Sequence, residues 1–230
     1  LPALKGEDHL FTAEEIPSIV TEIVADCADK IAISTLSVQC FLPISLLHTA
    51  IDQEEIEVDD KRQKIGGLCK TFVIRSSERQ RKRSASHGNW RRRWTSCESI
   101  WREACQNTLI LHQGELEDLY DALDDYAKVG CVFEGLDDPD EHQAMFEELF
   151  LAGVPIAIWL RPGHPFSNPD TVLKSLLIGC LEELPTLLTK KRRSDRRDRS
   201  SQPKITHHVT LLWDNPFRLY PDDDWKGRSV

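Results

Sequence analysis

Near the start of the chain the apolar positions recur at helical intervals. Ile16, Ile19, Val20, Ile23, Val24 and Cys27 make one stripe, and Thr12 followed three residues later by Glu15 is a capping box. The pattern predicts an amphipathic helix over about 13–29. From Ile31 it changes to alternation, through Ile33, Val38, Cys40 and Leu42, which predicts a strand ending at Pro43 with a short helix at Leu46 and Leu47 behind it. The acidic stretch 52–64 reads as an exposed loop, and Leu68 to Ile74 as a short apolar, β-branched strand.

Trp90, Trp94, Cys97, Trp101 and Cys105 then follow one another at helical steps, so one helix face carries three tryptophans. Leu116, Leu119, Tyr120 and Leu123 form a second helical stripe with acids opposite. Beyond residue 129 strands and helices alternate: strand 129–133, helix 139–150, strand 154–160, helix 170–188, strand 209–213. Strand, helix, strand, helix, strand implies a parallel sheet with right-handed crossovers. The expected fold is therefore α/β, a single domain over 1–230 with a mixed, partly parallel sheet and a C-terminal βαβαβ unit, flanked by helices. Two basic segments, 79–89 and 190–204, have few apolar anchors and are expected to be flexible surface loops.

Charge changes the picture more than composition does. The 230 residues carry a net charge of −9. Yet 75–102 holds nine Lys/Arg against two acids, and 190–204 holds eight against two, a joint +13 that leaves −22 to the remainder. Such segregation suits a surface that docks by complementary charge. Seven cysteines stand singly with no CxxC pair, which disfavours a disulfide framework or a zinc knuckle and fits a reducing cytoplasm. No apolar run is long enough to span a bilayer, and a leading Leu1 without a signal-peptide pattern is expected of a piece of a longer chain.

In an open parallel sheet, ligands gather beyond the carboxyl ends of the strands. That expectation puts Glu134, Asp137 and Asp138, then Arg161 and His164, then Asp214 and Asn215 on one rim. The set reads two ways. As chemistry, the carboxylates hold a divalent metal, with Arg161 or His164 facing a phosphate; a metal-dependent nuclease using Asp137, Asp138 and Asp214 is the enzyme version. As structure, Asp138 before Pro139 caps a helix, Asp214-Asn215-Pro216 is a turn, and Arg161 pairs with a rim carboxylate. The second reading is favoured.

The basic surface drawn from Arg79, Arg81, Arg91, Arg92, Arg93, Arg192, Arg193 and Arg196 raises nucleic-acid sensing as a further alternative. A core-facing tryptophan stripe with a solvated cationic face is favoured over it. Nothing points to a catalytic cysteine or serine, to a P-loop, or to HExxH or GxSxG, and no cofactor is expected.

The segments FLPISLL (41–47), FVIRSSER (72–79), WRRRW (90–94), GVPIAIWLRP (153–162), LEELP (181–185) and HHVTLLWDNPFRLYPD (207–222) together resemble the C-terminal domain of the vWA-MoxR-associated proteins, over about 12–225. The resemblance implies a bacterial module at the end of multidomain chains, behind effector domains such as peptidases, in conflict or defence systems that also contain a MoxR-type AAA+ ATPase and a vWA protein. It supplies no catalytic residue. The resulting expectation is a non-catalytic interaction and regulatory domain that couples an effector on the same polypeptide to those partners, without a membrane. Arg161, His164, Asp214, Asn215, Arg218, Asp137 and Asp138 would form its docking or ligand-sensing rim.

Overall fold

A computed structural model describes residues 12, 14–81, 86–112, 119, 122–123, 128–198 and 200–218. In chain order the elements are α1 (Ile16–Ala28), β1 (Ser37–Leu42), β2 (Glu55–Val58), β3 (Lys61–Lys64), α2 (Ile65–Leu68), β4 (Thr71–Ser76), α3 (Ser77–Arg81), α4 (Ser86–Ser99), α5 (Cys105–Thr108), β5 (Leu109–Leu111), β6 (Gly130–Glu134), α6 (Pro139–Leu151), β7 (Ile156–Leu160), α7 (Pro169–Lys174), α8 (Leu184–Arg197) and β8 (Val209–Trp213).

Among the described residues six strands form one sheet in the order β1-β4-β8-β7-β6-β5, with β2 and β3 as a separate hairpin. The inner strands are buried on both faces, and their alternation sorts side chains into two core layers. Phe72 and Ile74, Cys131 and Phe133, Ala157 and Trp159, and Leu212 face the layer that contains α1 and α6. Val73, Val132, Ile156, Ile158, Leu160 and Leu211 face the layer of α7 and α8. A strand covered on both sides must be apolar at every position, which is why β7 reads IAIWL without a polar break.

The sheet is mixed in a way the sequence reading did not anticipate. β6 and β7 are parallel, as expected, but β8 runs antiparallel to β7, with Ile156 opposite Trp213 and Leu160 opposite Val209. Two helices rather than one separate these strands. The expected helix over 170–188 is broken after α7, and Gly179 at φ +105 turns the chain beside the start of α5, where Ala104 bridges Cys180. One helical pass returns the chain to the edge where β7 began. The second, α8, carries it back to the edge where β7 ended, so β8 enters head to tail. Because β4 pairs parallel with β8 and β1 with β4, the sheet consists of two oppositely directed parallel halves joined at the β7/β8 seam.

Other expectations need correction. The 190–204 segment is not a loop throughout, since α8 reaches Arg197. Leu184, Leu188 and Arg192 lie at successive i,i+4 positions facing inward, Lys and Arg are good helix formers, and Arg196 and Arg197 complement the helix C-terminus. The 79–89 segment belongs partly to α3 and partly to α4, and 82–85 lies outside the described residues. The 52–64 stretch is the β2–β3 hairpin, whose two-residue loop Asp59-Asp60 has positive φ at both positions, as a type I′ turn requires. The strand expected from Ile31 begins at Ser37, after a short 3₁₀ turn at Ile33–Thr35, and the one expected at 68–74 is displaced to 71–76. Of the second stripe, Leu119 and Leu123 are buried, and Leu116 and Tyr120 lie outside the described residues. α4 stops at Ser99, but Trp101 stays in the same cluster, edge-on to Trp94 and stacked on Trp213.

Candidate functional site

The reversal of β8 divides the expected rim. Arg161 follows β7 at one end of the sheet; Asp214 follows β8 at the other, where its backbone N–H donates to Pro155 O just before β7 begins. Asp137, Asp138 and Asp214 therefore do not converge, and the metal-nuclease triad is not assembled. Among the described residues no group of three or more His, Cys, Asp or Glu side chains is placed to hold a metal ion.

Each end instead buries one aspartate between two arginines. At the β7 end, Arg161 donates from Nη1 to Asp52 Oδ1 at 2.6 Å, and Arg192 Nη2 lies 2.9 Å from Oδ2. Gln53 Nε2 also donates to Oδ2, and Arg161 reaches Thr210 Oγ1 and the carbonyl of His207. Burial alone would raise the Asp52 carboxyl, but the guanidiniums of Arg192 and Arg161 outweigh it and hold the acid below its ordinary range. Gly66 is required beside this cluster, because a Cβ there would lie 2.8 Å from both the Cβ and the carbonyl oxygen of Asp52.

At the β8 end, Asp214 accepts from Arg75 Nε at 3.1 Å and lies 3.8 Å from Arg79 Nη1. Arg75 also bonds the Asn215 carbonyl and Gln39, and Arg79 bonds Val154 O at 2.6 Å. Trp90 Nε1 donates to Asp214 O at 2.8 Å, and the Arg79 guanidinium lies over the Trp90 and Phe150 rings. Burial draws the Arg79 guanidinium down to about 9.

The remaining residues of the expected rim do three different things. Asp138 caps α6, accepting from Asp140 N at 2.8 Å; Asn215 Oδ1 accepts from Phe217 N in the turn after β8. His164 accepts from Phe166 N at Nδ1, so Nε2 carries the proton and donates to Glu134 at 2.8 Å. Asp137 and Arg218 are exposed. Thus Glu134, Asp137, Asp138 and His164 remain together at the β6/β7 end, while Asn215 and Arg218 accompany Asp214.

The expected basic surface is also divided. Arg79, Arg93 and Arg192 are buried. Arg93 donates to the carbonyls of Lys128, Leu123 and Ala152, and half-buried Arg193 closes α2 by bonding the carbonyls of Gly67, Leu68 and Cys69. Guanidinium forks reach inward because they can satisfy several carbonyls at once. Arg91, Arg92 and Arg196 are exposed, and the side chain of Arg81 lies outside the described residues.

Asp52, Arg75 and Gln39 were not singled out as site residues from the chain. Their partners lie far away in sequence, and an aspartate after an isoleucine carries no local sign of burial. A surface that is acidic on one flank does survive: Glu134, Asp137, Asp138, Asp140 and Glu141 are all exposed, beside a cleft of about 310 Å³ with Phe133, Leu136 and Met145 in its wall. No helix among the described residues is long and apolar enough to cross a membrane.

A family model described as the vWA-MoxR associated protein C-terminal domain matches residues 2–216. No curated protein and no solved structure matches the chain.

Proposed function

Because the chain belongs to the vWA-MoxR associated protein C-terminal domain family, we propose that it is a non-catalytic docking and regulatory module of a bacterial conflict system. It couples an effector domain on the same polypeptide to partner proteins, a MoxR-type ATPase and a vWA protein among them. The observation that carries this reading is the disposition of charge. Two of the strand-end residues, Arg161 and Asp214, are turned inward and charge-paired: Arg161 and Arg192 neutralise Asp52, and Arg75 and Arg79 neutralise Asp214, while Glu134, Asp137 and Asp138 stay exposed. What faces solvent includes an acidic flank, Glu134, Asp137, Asp138, Asp140 and Glu141, and exposed cations on α4 (Arg91, Arg92) and α8 (Lys190, Arg196, Arg197).

A cluster of exposed like charges steers and orients a protein partner with opposite charge, and buried pairs hold the surface in shape. The acidic flank beside an apolar-walled cleft suits a partner presenting a basic rim around an apolar anchor. The test is charge reversal at two exposed positions that cap nothing, Glu134→Lys with Asp137→Lys. Partner recovery should fall at least tenfold while the melting temperature stays within a few degrees. Undiminished recovery removes this flank from the docking surface.

A further inference from the structure

Near the same end of the sheet lies a cleft that the docking reading does not use. It is about 420 Å³ in volume, between β3, the last turn of α8 and the 200–208 loop, and a second hollow of about 540 Å³ shares Arg62, Gln63 and Arg196 with it. The first volume is in the range of small-ligand sites.

Its cations are under-neutralised. Arg62 has no ion pair or side-chain hydrogen bond among the described residues. Lys64 donates at 3.0 Å to the amide of Gln53, and Arg196 donates to the amide of Gln63, so neither meets a carboxylate. The acids nearby are already engaged: Asp195 accepts from the Thr206 hydroxyl at 2.7 Å, and Asp198 takes Lys204 and both donors of Ser200. Glu55 stands across the hairpin from Lys64 and is the remaining acid of the cleft.

The walls are also held in place. Arg161 Nη2 donates to His207 O at 2.6 Å and Gln53 Nε2 to Thr206 O at 3.4 Å, so the buried Asp52 cluster fixes the loop that forms one side. The β3 side is fixed by its register with β2. Guanidinium and ammonium donors from two segments, β3 and α8, lining one cleft match oxyanions with several acceptors each.

We propose that this cleft binds a small ligand carrying two or more phosphoryl groups, held by Arg62, Lys64 and Arg196. Occupancy bridges the β2–β3 hairpin to α8. The inference is independent of which protein docks at the acidic flank.

The probe is inorganic triphosphate, titrated calorimetrically into the 230-residue chain at 0.15 M salt. Saturable one-to-one binding is expected, weakened at least tenfold by Arg62→Ala with Arg196→Ala, both exposed, and by Lys64→Ala alone. Arg91→Ala with Arg92→Ala, on α4, should change affinity less than twofold. Melting temperatures of all variants are measured first, and a variant that melts early is replaced by the Arg62→Gln single variant. Absent or unsaturable binding overturns the proposal. So does equal weakening by the α4 variant, which marks diffuse attraction to positive charge.

Discussion

Asp52 and Arg161 are 109 residues apart in the chain and 2.6 Å apart in the fold. Their contact ties the turn before the β2–β3 hairpin to the end of β7, and Arg192 adds α8 to the same point. Asp214 does the same work at the opposite end, joining β4, α3 and β8. Removing one partner from such a cluster strands buried charge, which costs more than the cluster contributes over an apolar substitute. Asp52→Asn should therefore destabilise the domain by about 3–5 kcal/mol in chemical denaturation. The triple variant Asp52→Leu, Arg161→Met, Arg192→Met should recover most of that loss. A single variant as stable as the parent contradicts the assignment.

Trp90 makes a second kind of link, from an indole N–H to the carbonyl of buried Asp214. Trp90→Phe leaves that carbonyl without this donor and should cost about 1–3 kcal/mol. Trp101 stacks on Trp213 with less burial, so Trp101→Phe should cost less. Thermal melts of the two variants compare them directly.

His142 gives a signature in pH. It is buried, neither ring nitrogen has a hydrogen-bond partner among the described residues, and burial, with a smaller contribution from His48, lowers its imidazole from 6.5 to about 4. As pH falls from 6.5 towards 4 the unfolded chain takes up the proton first, so stability declines across that window. His207 and His208, also lowered chiefly by burial, act in the same sense. His142→Phe should flatten the slope without abolishing it, and should not destabilise the fold at pH 7. An unchanged slope in that variant contradicts the prediction.

The cysteines should behave as core residues. All seven are free, and burial pushes the thiols of Cys40 and Cys97 up to about 12 and those of Cys69 and Cys105 to about 11, with Cys131 also raised. Alkylation of the native chain at pH 7.5 should modify Cys27 and Cys180, which are partly exposed, far faster than the other five. Mass spectrometry of the labelled peptides reads this out.

What could be read from the chain was what local periodicity encodes. The stripe from Ile16 to Cys27, the apolar run of β7, and Asp138 as the cap of α6 were all legible, because burial on one or two faces leaves a repeating trace. The direction of β8 was not. It depends on whether the chain makes one pass or two between 161 and 208, and the break near Gly179 is a single residue within a long apolar stretch. With that direction wrong, Arg161 and Asp214 fell on one rim when they occupy two. The basic segments misled for a related reason: composition counts charges, but only the fold shows that Arg192 and Arg193 turn inward while Arg196 turns out.

The proposed docking of protein partners rests on the exposed acidic flank of Glu134 and Asp137. It is tested most directly by affinity purification of the intact protein from its native cell, with and without nuclease. Recovery of a MoxR-type ATPase or a vWA protein, undiminished by nuclease and lost in the Glu134→Lys, Asp137→Lys variant, is the predicted result. Recovery of nucleic acid, with every protein lost once it is digested, would contradict the claim and move the function to the basic face.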